Sequence, residues 1–271
     1  MKKIIKKVLK KFLNCVIMLP SQETTIKSSR VLPRNFFGWL GKCLEGAAAL
    51  RREAFDNGSR KKTRQDPAGM IRVSYGGEPM TTADFEELLA RQCAPTFTGL
   101  KAASLVAFQK DRFVGLDAQL AAYEPCFACH GISLFRLLDE ESRALVLFYR
   151  ADILRAVLRR RGARMLLRRY GYRPSDSLSA LLMRLRRRVC LSAGAGAGFP
   201  HEIGLFLGYP PHDVRGFIEN KGRGFLCCGP WKVYADADAS RALFKRYADC
   251  TARFCTRLAS GVPMAEILQA V

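Results

Sequence analysis

The sequence predicts an α+β fold: a mostly helical single domain over residues 80–271, built around a small sheet of about three strands, with a terminal helical hairpin. Three observations predict it. Apolar residues recur at i, i+3, i+4 and i+7 in several segments, which is the period of a half-buried helix. Two short apolar runs, 132–138 and 144–149, flank the turn Asp139-Glu140-Glu141-Ser142, which is the pattern of a β-hairpin. Between Pro200 and Gly222, proline and glycine cut the chain into two short helical stretches.

The elements follow in chain order. Residues 1–79 carry 17 basic and 6 acidic residues and read as a basic, partly disordered N-terminal extension. Within it, 36–55 has a helical pattern, and the Gly/Pro/Lys-rich stretch 57–79 reads as a solvated linker. Met70 and Met80 both stand just before the first strongly patterned segment, so a misplaced start is an alternative origin for the extension. The domain opens with a helix capped at Thr81 or Thr82, striped by Phe85, Leu88 and Leu89, and stopped by Pro95. A second helix is expected at 116–123. In the hairpin that follows, the unbroken apolar run 144–149 marks a central strand covered on both faces.

Helices then dominate. A stretch at 151–161 stops at Gly162, and one at 163–170 stops at Gly171. Ser175 or Asp176 caps the next, whose stripe is Leu178, Leu181, Leu182, Leu185 and Val189. The glycines of 193–198 form a joint but lack the spacing and the preceding strand of a dinucleotide-binding turn. A strand at 231–235 and an amphipathic helix at 239–258 complete the pattern.

Composition excludes several classes. Of 271 residues, 49% are hydrophobic and 25% charged, which is ordinary for a globular chain and unlike a disordered or collagenous one. No apolar run reaches the length of a membrane span. Ten cysteines are too dilute for a disulfide scaffold, and several sit in apolar helical surroundings, so a reducing cytoplasm is expected. Residues 1–19 join a basic opening to a short apolar run with no small-x-small cleavage site after it. An amphipathic helix there, with Ile4, Val8 and Phe12 opposite the lysines, would make weak contact with an anionic membrane surface. The net charge of +21 points to an anionic partner.

The segment 199–222 is the most informative. Val214, Phe217 and Ile218 would bury one face of its second helix. Its spacing also fits a helix-turn-helix, which would expose His212, Asp213, Arg215, Gly216, Glu219 and Asn220. Two of those six are acidic, which suits phosphate poorly, and a packing hairpin is the preferred reading. The block PHEIGLFLGYPPHDVRGFIENKG at 200–222, with CAPTFTGLKAASL at 93–105, LVLFYR at 145–150 and WKVY at 231–234, resembles the bacterial domain-of-unknown-function family 3793. The resemblance covers about 80–258 and leaves the N-terminal extension outside. It implies no activity, because the family has none assigned.

Several residue groups carry chemistry. The arginine runs Arg159-Arg160-Arg161 and Arg186-Arg187-Arg188 are the candidate anion-binding groups, since guanidinium binds phosphate bidentately. Cys93, His201 and Glu202 are the candidate catalytic residues: a thiol, an imidazole and a carboxylate for a thiol- or metal-dependent reaction. His201-Glu202 lacks the second histidine of H-E-x-x-H. CFACH at 126–130 matches the covalent haem pattern by chance, without a clean export signal, and Cys126, Cys129, Cys227 and Cys228 make a poor zinc spacing. No metal site is assigned, and the cofactor and oligomeric state stay unknown. The leading expectation is a non-enzymatic cytoplasmic protein that binds nucleic acid or another polyanion. A small enzyme using Cys93, His201 and Glu202, or a structural interaction module with an exposed apolar patch, are the alternatives.

Overall fold

A three-stranded antiparallel sheet in the order β1-β3-β2 divides the domain into two cores. The computed structural model describes residues 81–270 except 114, 174 and 195–198. The expectations for residues 1–79, and most of the glycine joint, lie outside the described residues. In chain order the elements are α1 (Thr82–Phe97), β1 (Ala103–Gln109), α2 (Leu116–Cys129), β2 (Ile132–Asp139), β3 (Arg143–Arg150), α3 (Ala151–Arg159), α4 (Arg161–Arg169), α5 (Leu178–Gly194), α6 (Ile203–Phe206), α7 (Pro211–Glu219), β4 (Cys227–Cys228), β5 (Lys232–Val233), α8 (Ala237–Ala259) and α9 (Met264–Gln269). This is the α+β architecture expected, with helices on both faces of a small sheet.

The strands alternate, and the alternation assigns each side chain to a core. From β3, Leu145 and Leu147 face one cluster, and Ala144, Val146 and Phe148 face the other. From β1, Leu105 goes with the first and Val106 and Phe108 with the second. The strand expected to be central is central: β3 pairs with β1 from Ala103↔Tyr149 to Gln109↔Arg143, and with β2 from Ile132↔Arg150. A bulge between Arg136 and Leu138 of β2 inserts one residue, which lets Leu137 and Leu138 join the same core.

The second core is aromatic. α1 lays Phe85, Leu89, Cys93 and Phe97 against it, α2 adds Phe127, and α8 adds Cys250 and Phe254. Phe97 and Phe148 meet edge to face, with ring centres 6.0 Å apart. The first core is built from α3, α4, α5 and the hairpin, with Leu154, Leu167, Leu185, Leu205 and Phe206 buried in it.

The sheet differs from expectation in membership. Its third strand is β1, which small residues hide in the sequence, and not 231–235. That segment contributes only Lys232–Val233, paired with Cys227–Cys228 in a separate two-stranded ribbon. A proline expected to bound a helix lies inside it. Thr81 caps α1 through a reciprocal bond with Asp84, and the helix runs past Pro95 to Phe97. The Arg150 side chain donates to the Thr96 and Phe97 carbonyls and closes the helix end. The helix expected at 116–123 runs on through Pro125 to Cys129. The break expected at Gly162 falls at Arg160, an extended residue, and Gly162 lies in the first turn of α4. A Cβ there would stand 3.1 Å from Pro211 Cβ, so the glycine lets α7 approach. The cap of α5 is Ser177, whose Oγ accepts the Ala180 N–H at 3.2 Å. The hairpin's first helix is a single turn, and α9 follows the helix expected to be last.

Candidate functional site: an arginine-lined groove

α3 and α4 are short amphipathic helices. Leu154, Val157 and Leu158 anchor the first, and Ala163, Leu166 and Leu167 anchor the second, which leaves the intervening arginines in water. After α4 the chain reverses at Gly171, where φ is +79°. Tyr172 N–H then bonds back to the Leu167 carbonyl, and Arg173 N–H bonds to Asp176 Oδ2 at 3.0 Å. These bonds fix a short loop that leads into α5.

Between α3, α4, this loop and the start of α5 lies a groove of about 700 Å³. Arg155 and Arg159, four apart on α3, enter it with Arg164 from α4 and Arg173 from the loop. Ser175, Ser177 and Ser179 line the wall nearest α5, and Leu158, Leu167, Leu181 and Tyr172 line the floor. Among the described residues, Asp176 is the only carboxylate in the lining. Among the described residues, no ion pair or side-chain hydrogen bond engages Arg155, Arg159, Arg164 or Arg173.

The back of the groove is a buried polar network. Tyr172 turns its hydroxyl inward and donates to Glu202 Oε1 at 3.2 Å. Glu202 has no exposed surface, and Arg188 neutralises it through a charge-assisted bond from Nε. Burial, and then the Glu202 charge, push the Tyr172 phenol well above the ordinary range. Arg188 also stacks over the Tyr170 ring at 4.9 Å, and Arg184 lies over the Tyr172 ring at 5.7 Å. Glu202 is thus a buried, hydrogen-bonded carboxylate behind the groove, and Arg188, one of the candidate anion-binding residues, is paired with it.

The other candidates fall in different places. Arg159 lines the groove. Arg160, Arg161, Arg186 and Arg187 are exposed but are not among its lining. Cys93 is fully buried on the aromatic side of the sheet, and burial raises its thiol far above the ordinary range, with the Lys101 charge only partly offsetting this. His201 sits on the hairpin side, between Phe199 at 5.8 Å and Phe217 at 5.0 Å, and burial lowers its pKa despite the neighbouring Glu202. The sheet separates the thiol from the imidazole, and the structure does not bring the proposed pair together.

The hairpin is scaffold. Asp213, which a DNA-reading helix would expose, is 1% exposed. Its Oδ2 accepts the Trp231 indole N–H at 2.8 Å, and its Oδ1 accepts the Tyr234 N–H at 2.7 Å. Gly216 packs so closely on Tyr234 that a Cβ would meet its ring at 2.5 Å. The β5 region therefore covers Asp213 and Gly216 of that face, while His212, Arg215, Glu219 and Asn220 stay exposed. In CFACH, His130 Nδ1 lies 2.7 Å from the Cys126 carbonyl and ends α2. Among the described residues no three His, Cys, Asp or Glu side chains are grouped to hold a metal, so Cys126, Cys129, Cys227 and Cys228 do not converge.

Sequence reasoning missed Arg155, Arg164, Arg173 and the serines. Runs of adjacent arginines drew attention, but adjacent residues on a helix point apart. The signal lay in the i, i+4 pair Arg155 and Arg159.

The comparisons add identity without activity. No curated protein and no solved structure shows a significant match. A family profile matches residues 89–268, well over half of the chain, spanning the sheet, the groove and the hairpin. The chain belongs to the family described as "Protein of unknown function (DUF3793)".

Proposed function

We propose that this protein is a non-enzymatic binder of an anionic partner, nucleic acid foremost, and that the groove-facing arginines of α3, α4 and the α4–α5 loop supply the affinity. The observation that carries this reading is the convergence of Arg155, Arg159, Arg164 and Arg173 on one concavity that contains a single carboxylate. Guanidinium groups held near one another repel, and an anion relieves that repulsion while taking bidentate bonds. We also place the protein in a bacterial cytoplasm. The free thiols of the described cysteines and the resemblance to a bacterial family support that placement. Among the described residues no helix is long and apolar enough to cross a membrane.

Filter binding of the full chain to a short duplex tests the function. Four phosphate contacts give a salt slope of about −3.6, so affinity falls roughly a hundredfold between 50 and 200 mM salt. The Arg155→Gln/Arg159→Gln variant is expected to lower the slope by about 2 units. No binding at low salt, or an unchanged slope in the variant, overturns the proposal.

A further inference from the structure

We propose that the groove is a discrete site for a phosphate monoester dianion, carried either on the end of a nucleic-acid strand or on a small phosphorylated molecule. This deepens the anion-binding reading by naming the ligand group, and it rests on that reading only for the sign of the charge.

Four features point to this chemistry. The volume of about 700 Å³ lies within the range of small-molecule sites, roughly 300–1,000 Å³, and the arginines surround it from three separate chain segments. Some arginines elsewhere in the domain have carboxylate partners (Arg136 has Asp117 and Asp139, Arg143 has Glu140, and Arg188 has Glu202), and those without one among the described residues, such as Arg160 and Arg186, do not share a concavity with the groove four. The four in the groove have none among the described residues, although Asp176 lies beside them with one oxygen held by the Arg173 N–H. Four guanidinium groups against one carboxylate match a dianion with three terminal oxygens better than a diester with one charge and two. The floor lacks a stacking platform for a base: Tyr172 is 2% exposed, its hydroxyl is tied to Glu202, and Arg184 lies over its ring. The site therefore reads the phosphoryl group and not the base. The start of the 17-residue helix α5, at Ser177 and Ser179, adds a weak favourable field as an accessory.

Calorimetry on the full chain tests this with methyl phosphate and dimethyl phosphate as probes. Methyl phosphate is expected to bind at least tenfold more tightly at pH 7.5. Because arginine does not titrate there, the preference is expected to fade towards pH 5.5 as the monoester, with a second pKa of about 6, takes up its proton. Arg159→Gln/Arg164→Gln is expected to lose at least tenfold in methyl phosphate affinity, and Arg186→Gln/Arg187→Gln to lose none. Equal affinity for the two probes, no binding of either, or an equal loss in the control variant overturns the inference. Two oligonucleotides that differ only in a 5′-phosphate identify the source. A groove-dependent gain from the phosphate assigns the strand end, and equal binding of the two beside tight methyl phosphate binding assigns a small phosphorylated ligand. Methyl phosphate binding with no oligonucleotide binding keeps this inference and ends the nucleic-acid reading. Salt-sensitive oligonucleotide binding that the groove variants weaken, beside equal affinity for methyl and dimethyl phosphate, does the reverse.

Discussion

Cys93 illustrates how little a residue's chemistry says before its surroundings are known. A thiol becomes a nucleophile when a neighbouring positive charge or a base stabilises its thiolate and solvent can reach it. Cys93 has no exposed surface, and burial raises its pKa. It stays protonated well above neutral pH. Cys129 and Cys190 are exposed, on α2 and α5. Alkylation of the native chain at pH 8, followed by peptide mass mapping, is therefore expected to modify Cys129 and Cys190 within minutes. Cys93 and the similarly buried Cys250 should react only after urea is added. Labelling of Cys93 as fast as Cys129 in the native state would falsify the inert assignment and return the residue to the list of reactive groups. Glu202 carries the same lesson with the opposite sign. Beside a histidine in the sequence it reads as a candidate catalytic carboxylate, yet it is buried and its Oε1 accepts from both Arg188 and Tyr172.

At the scale of elements, the hairpin shows what close packing demands. α7 can lie against the β5 region only because position 216 has no side chain, since a Cβ would stand 2.5 Å from the Tyr234 ring and 2.7 Å from its Cβ. Gly216→Ala must therefore shift the helix or the tyrosine, and overpacking of this kind costs about 1–3 kcal/mol. Gly224→Ala is the comparison. It has φ of +65° but open space around it, so it carries only the left-handed penalty of about 1 kcal/mol. Urea unfolding is expected to rank Gly216→Ala as the more destabilised, and equal midpoints would mean that the helix relaxes freely. The helices themselves were legible in the sequence because periodicity and caps act over a few residues: Thr81, Gly171 and the Leu182-Leu185-Val189 stripe sit where local rules put them. Their ends were less legible. Pro95 lies inside α1, and the helix end beyond it is closed by Arg150, more than fifty residues away. The groove was invisible for the same reason, since its arginines come from segments that only the fold brings together.

Across the domain, β3 is the central strand of a sheet that both cores share, and that placement decides how the parts depend on one another. Leu147 and Phe148 are neighbours in sequence but serve opposite cores, each with no exposed surface. The run 144–149 revealed its two-sided burial because no polar residue interrupts it, whereas β1 begins with Ala103 and Ser104 and gave no such sign. The central strand also explains why the sequence could not judge Cys93 against His201: proximity there depends on which face each helix covers, which no local pattern encodes. If β3 couples the cores, damage to either one must be felt by both. Phe148→Ala removes a ring from the aromatic core and is expected to cost about 3–5 kcal/mol, and Leu147→Ala about 2–5 kcal/mol on the other side. Trp231 reports only on the hairpin core, where it stacks on Tyr209 at 4.8 Å. In a background with Trp39→Phe it is the sole tryptophan. Its fluorescence midpoint in urea is expected to fall in step with the helical signal at 222 nm in both variants, because the shared strand cannot keep one face folded when the other is lost. A Phe148→Ala protein that loses helical signal first while Trp231 unfolds at its original midpoint would show two cores that fold separately.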